Sequence, residues 1–178
     1  MKYLISIFCL FSFIHCYSQK ETQSMLDEKK EIKFFMKEFL KDFTFVPYVS
    51  ETTTSISQMI ECFNELESDT ITFTSDELKH LKKELLNDHL KKWKTEILPN
   101  TKIISDKIIN SKGKYEFIKE IKQKLYSFSH PIFFRNGKYC IIYEEYKCSM
   151  VCGGGTFYLF ERTGENWEIK MRYCEWIH

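Results

Sequence analysis

The sequence predicts an α+β domain in which N-terminal helices pack on a C-terminal four-stranded antiparallel meander, and three observations point to it. Apolar residues recur at helical spacing up to about residue 125, and from Phe128 onward aromatic and β-branched residues broken by turn signals replace that pattern. Apolar residues are 43% of the chain and charged residues 29%, a globular balance that excludes a disordered, collagenous or multi-span membrane protein. The first eighteen of the 178 residues read as a removable signal, which leaves about 160, the size of one domain with one core. The expected organisation is a signal peptide over 1–18 and a single domain over 19–178, helical over about 24–125 and a sheet over about 126–178.

Met1-Lys2 followed by the twelve mostly apolar residues Tyr3 to Ile14 forms a basic n-region and an h-region too short to span a bilayer. Cys16-Tyr17-Ser18 places small residues three and one positions before Gln19, which suits signal peptidase and predicts cleavage after Ser18. The competing reading is a lipid anchor on Cys16, against which the preceding Phe13-Ile14-His15 puts a bulky polar residue where lipoprotein signals carry Gly or Ala. The expected compartment is secreted or periplasmic, and no other segment is long and apolar enough for a membrane span.

Element by element, Ile32, Phe35, Met36, Phe39, Leu40 and Phe43 line one face of a first helix, starting near Ser24 and stopped before Pro47. Ser55 and Gln58 offer a capping box for a second helix with Ile56, Met59, Ile60, Phe63 and Leu66 on one face and Cys62 beside it. Thr70 to Phe73 is a short β-branched run. Thr74 and Glu77 form another capping box, opening a long helix to about Ile97 whose buried side carries Leu78, Leu81, Leu85, His89 and Trp93. Thr101 to Ile109 reads as a weak strand or loop, and Tyr115 to Leu125 as a fourth helix.

Four strands are expected near 128–135, 138–147, 156–162 and 167–176, the first two joined by Asn136-Gly137, a dipeptide suited to a type I′ hairpin turn. The two middle strands are apolar on both sides, so helices are expected on one face, with a second core, a pocket or a partner surface on the other.

Removing Lys2 with the signal leaves 25 basic against 25 acidic groups, which gives no general reason to expect nucleic acid as a partner. Residues 19–74 carry 6 basic and 11 acidic groups, and residues 75–125 carry 13 and 8. The Lys-rich helix 79–94 has no Arg and Trp93 as its one aromatic, so its charge reads as a solvated face rather than a nucleic-acid surface.

Five of the seven cysteines remain after cleavage, Cys62, Cys140, Cys148, Cys152 and Cys174, so at least one stays free or pairs outside the chain. If Lys147 pairs with Thr156 and Arg162 with Trp167, then Cys148, Cys152 and Cys174 gather at one end of the sheet. Cys148 and Cys174 are then two strand spacings apart, ~9.6 Å, beyond the ~7 Å a disulfide tolerates between Cα atoms. Cys148–Cys152 is the favoured bond and Cys152–Cys174 the next, with Cys62 read as a buried free thiol. The metal alternative joins Cys148, Cys152, Cys174 and His178 around zinc, but an extended strand sets Cys174 and His178 ~13 Å apart, too far for one ion.

Gly153-Gly154-Gly155 precedes a strand rather than a helix and so lacks the aligned amides of a phosphate loop; it reads as a tight turn beside a disulfide. Ser129 and His130 are neighbours entering a strand and point to opposite faces, so they cannot act as nucleophile and base for each other. No catalytic residue and no cofactor emerge from the sequence.

Leu98-Pro99 with Ile103-Ile104-Ser105, Phe128-Ser129-x-Pro131-Ile132-Phe133, Cys148-x3-Cys152-Gly153-x-Gly155 and Asn166-Trp167 together resemble a group of uncharacterised secreted bacterial proteins. The likeness covers the ~80 residues from Leu98 onward. Ser149 stands where the pattern has a second Gly. The resemblance implies export and a loop disulfide, and nothing about catalysis. The order helix, helix, strand, helix, sheet is also similar to the cone-shaped nuclear-transport-factor-like fold, whose sheet encloses a small-molecule pocket.

The functional expectation is an exported binding or interaction module for a protein or small-molecule ligand. Its contact surface is Ser149, Met150 and Val151 on the stapled loop. The alternative is a small-molecule hydrolase or isomerase using a pocket enclosed by the sheet. Intact-mass measurement of exported protein is expected to find Gln19 at the N-terminus, whereas a diacylglycerol-modified Cys16 overturns the cleavage site.

Overall fold

The computed structural model describes residues 26–53, 56–88 and 91–178. The signal segment with Cys16, the opening of the first helix at Ser24, the Ser55 cap and His89 lie outside them. Helix α1 covers 26–39. The chain then runs through β1 (Tyr48–Ser50), α2 (Ile56–Ser68), α3 (Ser75–Asp88), β2 (Lys102–Ile104), α4 (Asp106–Lys112) and α5 (Lys114–Ile121). Five strands follow: β3 (Leu125–Phe128), β4 (Ile132–Phe134), β5 (Tyr139–Lys147), β6 (Gly153–Thr163) and β7 (Asn166–Ile177).

The seven strands among the described residues share one sheet in the order β2-β1-β3-β5-β6-β7, with β4 beside β3 on the same edge of β5. β1 is parallel to β2 and β3, and the other pairs are antiparallel. The class is therefore α+β, and the antiparallel run β4-β5-β6-β7 belongs to a larger sheet than the expected four strands. β1 and β2 escape a pattern search because three residues are too few to show a period of two.

Helices cover both faces of this sheet, not one. α2 and α3 bring Phe63, Leu66, Leu81 and Leu85 against Ile141, Tyr143, Phe157 and Leu159. On the other face α1 brings Ile32, Phe35 and Met36 against Phe128, Cys140, Ile142, Phe160 and Trp167. The alternation of side chains along β5 sends odd-numbered residues to the first cluster and even-numbered ones to the second, which explains a strand apolar on both sides. α4 and α5 close a third, smaller cluster with Leu125.

Local chemistry sets the boundaries. Thr74 and Glu77 form the expected reciprocal cap, Thr74 N–H donating to the Glu77 carboxylate at 2.8 Å and Glu77 N–H to Thr74 Oγ1 at 3.3 Å. The same carboxylate accepts from Arg135 Nε at 2.6 Å and Nη2 at 2.8 Å, tying α3 to the β4–β5 turn; this guanidinium holds the Glu77 carboxyl down at about 2. That turn matches the Asn136-Gly137 expectation: both have positive φ, and Lys138 N–H donates to the Arg135 carbonyl at 3.1 Å.

Several boundaries differ from expectation. α3 ends at Asp88, not near Ile97: the Asp88 carbonyl accepts from Thr53 Oγ1 at 2.9 Å, and the Trp93 amide donates to the Glu51 carbonyl at 2.8 Å in a bridge to the chain after β1. Thr70 to Phe73 is a turn, since the Asp69 carboxylate captures the amides of Ile71 and Thr72. Asp106–Lys112 adds helix α4, and Leu125 opens β3 instead of closing a helix. The expected strand 128–135 is broken at Ser129–Pro131, where Ser129 Oγ accepts the Tyr143 N–H at 2.8 Å in place of a main-chain carbonyl. Ile60 is 41% exposed, because α2 turns Cys62, Phe63 and Leu66 toward the sheet.

Phe157 is fully buried in the first cluster, its ring 4.6 Å from that of Tyr143. Phe157→Ala is expected to cost ~3–5 kcal/mol and lower Tm by about 10 °C. Calorimetry showing an unchanged transition overturns the burial described for β6.

Candidate functional site

The hairpin tip between β5 and β6 is short and self-bonded. Lys147 pairs with Gly153, which leaves residues 148–152 as the loop. Within it, Cys148 N–H donates to the Cys152 carbonyl at 2.9 Å, and Val151 N–H to Ser149 Oγ at 3.2 Å. A disulfide joins Cys148 to Cys152 with their Cα atoms 5.2 Å apart. These bonds fold the loop ends together and send the middle outward: Met150 is 75% exposed and Val151 81%.

The three glycines are strand, not turn. Gly153, Gly154 and Gly155 face Lys147, Tyr146 and Glu145. A Cβ on Gly155 would strike Tyr143 Oη and Trp176 Nε1, and one on Gly154 would lie 2.8 Å from Tyr146 Cε1. Side chains from β5 and β7 thus cross over a strand that has none of its own. Beneath the tip, Trp176 Nε1 donates to Tyr143 Oη at 3.0 Å, and the Lys147 ammonium sits 4.8 Å from the Trp176 ring centre.

The C-terminus joins the tip. His178 N–H donates to the Gly153 carbonyl at 2.9 Å, and Gly153 N–H to the His178 carbonyl at 3.3 Å. This places His178 beside Met150, Val151, Cys152, Gly153 and Lys147 around an open cleft of about 340 Å³. Ile177, 80% exposed, pairs with Gly154 at the same end of the sheet. The surface residues Ser149, Met150 and Val151 thus share one end of the sheet with Ile177 and His178.

The cysteine pairings differ from expectation at Cys174. It bonds Cys62, across a sequence separation of 112, rather than Cys152, and Cys62 is therefore not a free thiol. Two bulges cause the change: the register slips between Leu159 and Phe160 and again between Gly155 and Phe157, so Gly155 faces Trp176 where an unbroken ladder places Cys174. At the second slip Cys174 adopts φ +52°, its amide donates to Glu65 of α2 at 2.6 Å, and its sulfur meets Cys62 on the same helix. Cys148, Cys152 and Cys174, the thiols of the zinc alternative, are all held in disulfides, and only His178 of that set lies at the tip without one.

Among the described residues Cys140, fully buried under α1, is the free cysteine, and burial pushes its thiol well up. Two groupings were not legible in the sequence. His130 Nδ1 lies 3.0 Å from Asp88, its ring stacks on Trp93 at 4.1 Å, and Trp93 Nε1 donates to the Phe128 carbonyl. Ser129 Oγ turns to main-chain partners and not to that ring. The other is Glu144, half-buried among aromatic side chains, whose carboxyl burial pushes up to about 7. Both depend on partners 42 residues away or on strand register, which no local pattern announces.

No family model, curated protein or solved structure matches this chain. The functional reading therefore rests on its own residues.

With residues 1–18 removed, native protein is expected to show no thiol reactive to iodoacetamide, and unreduced denatured protein one, at Cys140. Alkylation of Cys148 and Cys152 in the native state overturns the staple.

Proposed function

We propose that this chain is an exported binding module whose contact surface is the stapled tip. The observation that carries the reading is a contrast in exposure: the middle of both sheet faces is packed under helices, whereas Met150, Val151 and Ile177 are among the most exposed apolar side chains and share one braced end. Fixing such residues before binding lowers the ordering cost of association, which is the advantage of a disulfide across so short a loop. The two disulfides suit an oxidising compartment, and among the described residues no helix is long and apolar enough to cross a membrane.

The small-molecule hydrolase or isomerase is the second reading, favoured by the Asp88–His130 pair. Against it, both Asp88 oxygens are committed to His130, one to its amide and one to its ring, and Trp93 covers that ring. Such a pair braces the interruption between β3 and β4.

Site-directed photo-cross-linking in the exporting cell tests the tip. A benzophenone side chain replacing Val151 is expected to give a discrete adduct that the same group at Ile71 does not, Ile71 being 98% exposed on the remote α2–α3 turn. Identical adduct patterns from the two positions overturn the proposal.

A further inference from the structure

The register of the sheet places one carboxylate in the middle of an aromatic field. Glu144 faces Phe128 across β3 and Thr156 across β6, with Ile142 and Tyr146 two residues away on its own strand. Tyr126 faces Tyr146, and Tyr158 faces Ile142, so both tyrosines lie on the diagonals from Glu144. The Tyr126 and Tyr146 ring centres are 6.0 Å apart. Tyr146 lies over Gly154, whose missing side chain leaves that position open to it.

Packing by α1 accounts for the aromatic residues further along this face, where Phe39 touches Phe128, Tyr158 and Phe160. Toward the tip, Glu144, Tyr146, Thr156 and Tyr158 stay only half-buried. Among the described residues no hydrogen bond or ion pair within 4.0 Å reaches the Glu144 carboxyl, whose oxygens are not fully buried and keep contact with solvent. The cation whose field acts on this carboxyl is Lys124, from the exposed rim ahead of β3, while the Arg172 guanidinium sits 5.7 Å from the Tyr158 ring centre. The Lys124 ammonium lies 3.8 Å from the Tyr146 ring centre, close to the ring face, and its field lowers the carboxyl that burial raises. The position over Tyr146 therefore already accepts an alkylammonium, supplied by a flexible side chain that can swing into solvent.

We propose that Glu144, Tyr146 and Tyr158 form a binding site for a small organic ammonium ion, backed by the buried ring of Tyr126 that Phe43 and Phe45 hold in place, with Lys124 as the resident cation that such a ligand displaces. The ring faces supply the attraction for a diffuse cation and the carboxylate its counter-charge. A neutral molecule of the same shape gains neither. This site lies on the α1 side of the sheet and is independent of the tip surface proposed above.

The test titrates choline, and its uncharged carbon analogue 3,3-dimethylbutanol, into the folded chain above neutral pH, following the tyrosine ring resonances by NMR. Lys124→Ala is expected to bind choline at least ~10-fold more tightly than the parent, because the competitor is gone. Adding Glu144→Gln or Tyr146→Leu to that variant is expected to abolish the gain, with the transition temperature showing that each protein is folded. Saturable shifts at Tyr146 and Tyr158 with choline alone support the site. No saturable shift in Lys124→Ala, or equal binding of the neutral analogue, overturns it.

Discussion

The need of β5 to bury both of its faces governs the architecture. Cys140, Ile141, Ile142 and Tyr143 are all fully buried, and successive strand residues point to opposite sides, so neither side of the sheet can be left to water. One helical layer cannot satisfy that requirement. The chain meets it by placing α1 on one side and α2 with α3 on the other, and the short strands β1 and β2 widen the sheet that α4 and α5 then cover.

Two irregularities in the sheet convert that frame into specific sites. Where the ladder breaks between β3 and β4, Ser129, Asp88 and Trp93 take over the bonding that strand neighbours would otherwise supply. Where β7 bulges, Cys174 is carried away from the hairpin tip and onto α2, so the second disulfide fastens a helix to the edge strand rather than bracing the tip. The tip is left with its own local bond, and its apolar side chains face outward.

The glycine run is the point at which composition and geometry were easiest to confuse. Three consecutive glycines suggest a flexible turn, yet here they are paired strand residues whose value is the absence of Cβ. Tyr143 and Trp176 meet above Gly155, and Tyr146 lies over Gly154. The aromatic surroundings of both the tip and Glu144 thus depend on a feature that the sequence displays openly but whose purpose only the neighbouring strands reveal.

What the amino-acid sequence determined by itself was local. The α1 stripe from Ile32 to Leu40, the Thr74–Glu77 cap, the Asn136-Gly137 turn and the Cys148–Cys152 spacing each depend on residues a few positions apart, where helical period, capping chemistry or turn geometry leaves few choices. The tertiary structure decided whatever depends on register and distant pairing. It paired Cys62 with Cys174, brought Asp88 to His130, set β1 between β2 and β3, and placed Glu144 among tyrosines from three strands. The physical reason is that a single bulge shifts a strand by one residue and exchanges its faces, while leaving the local pattern that a sequence displays almost unchanged.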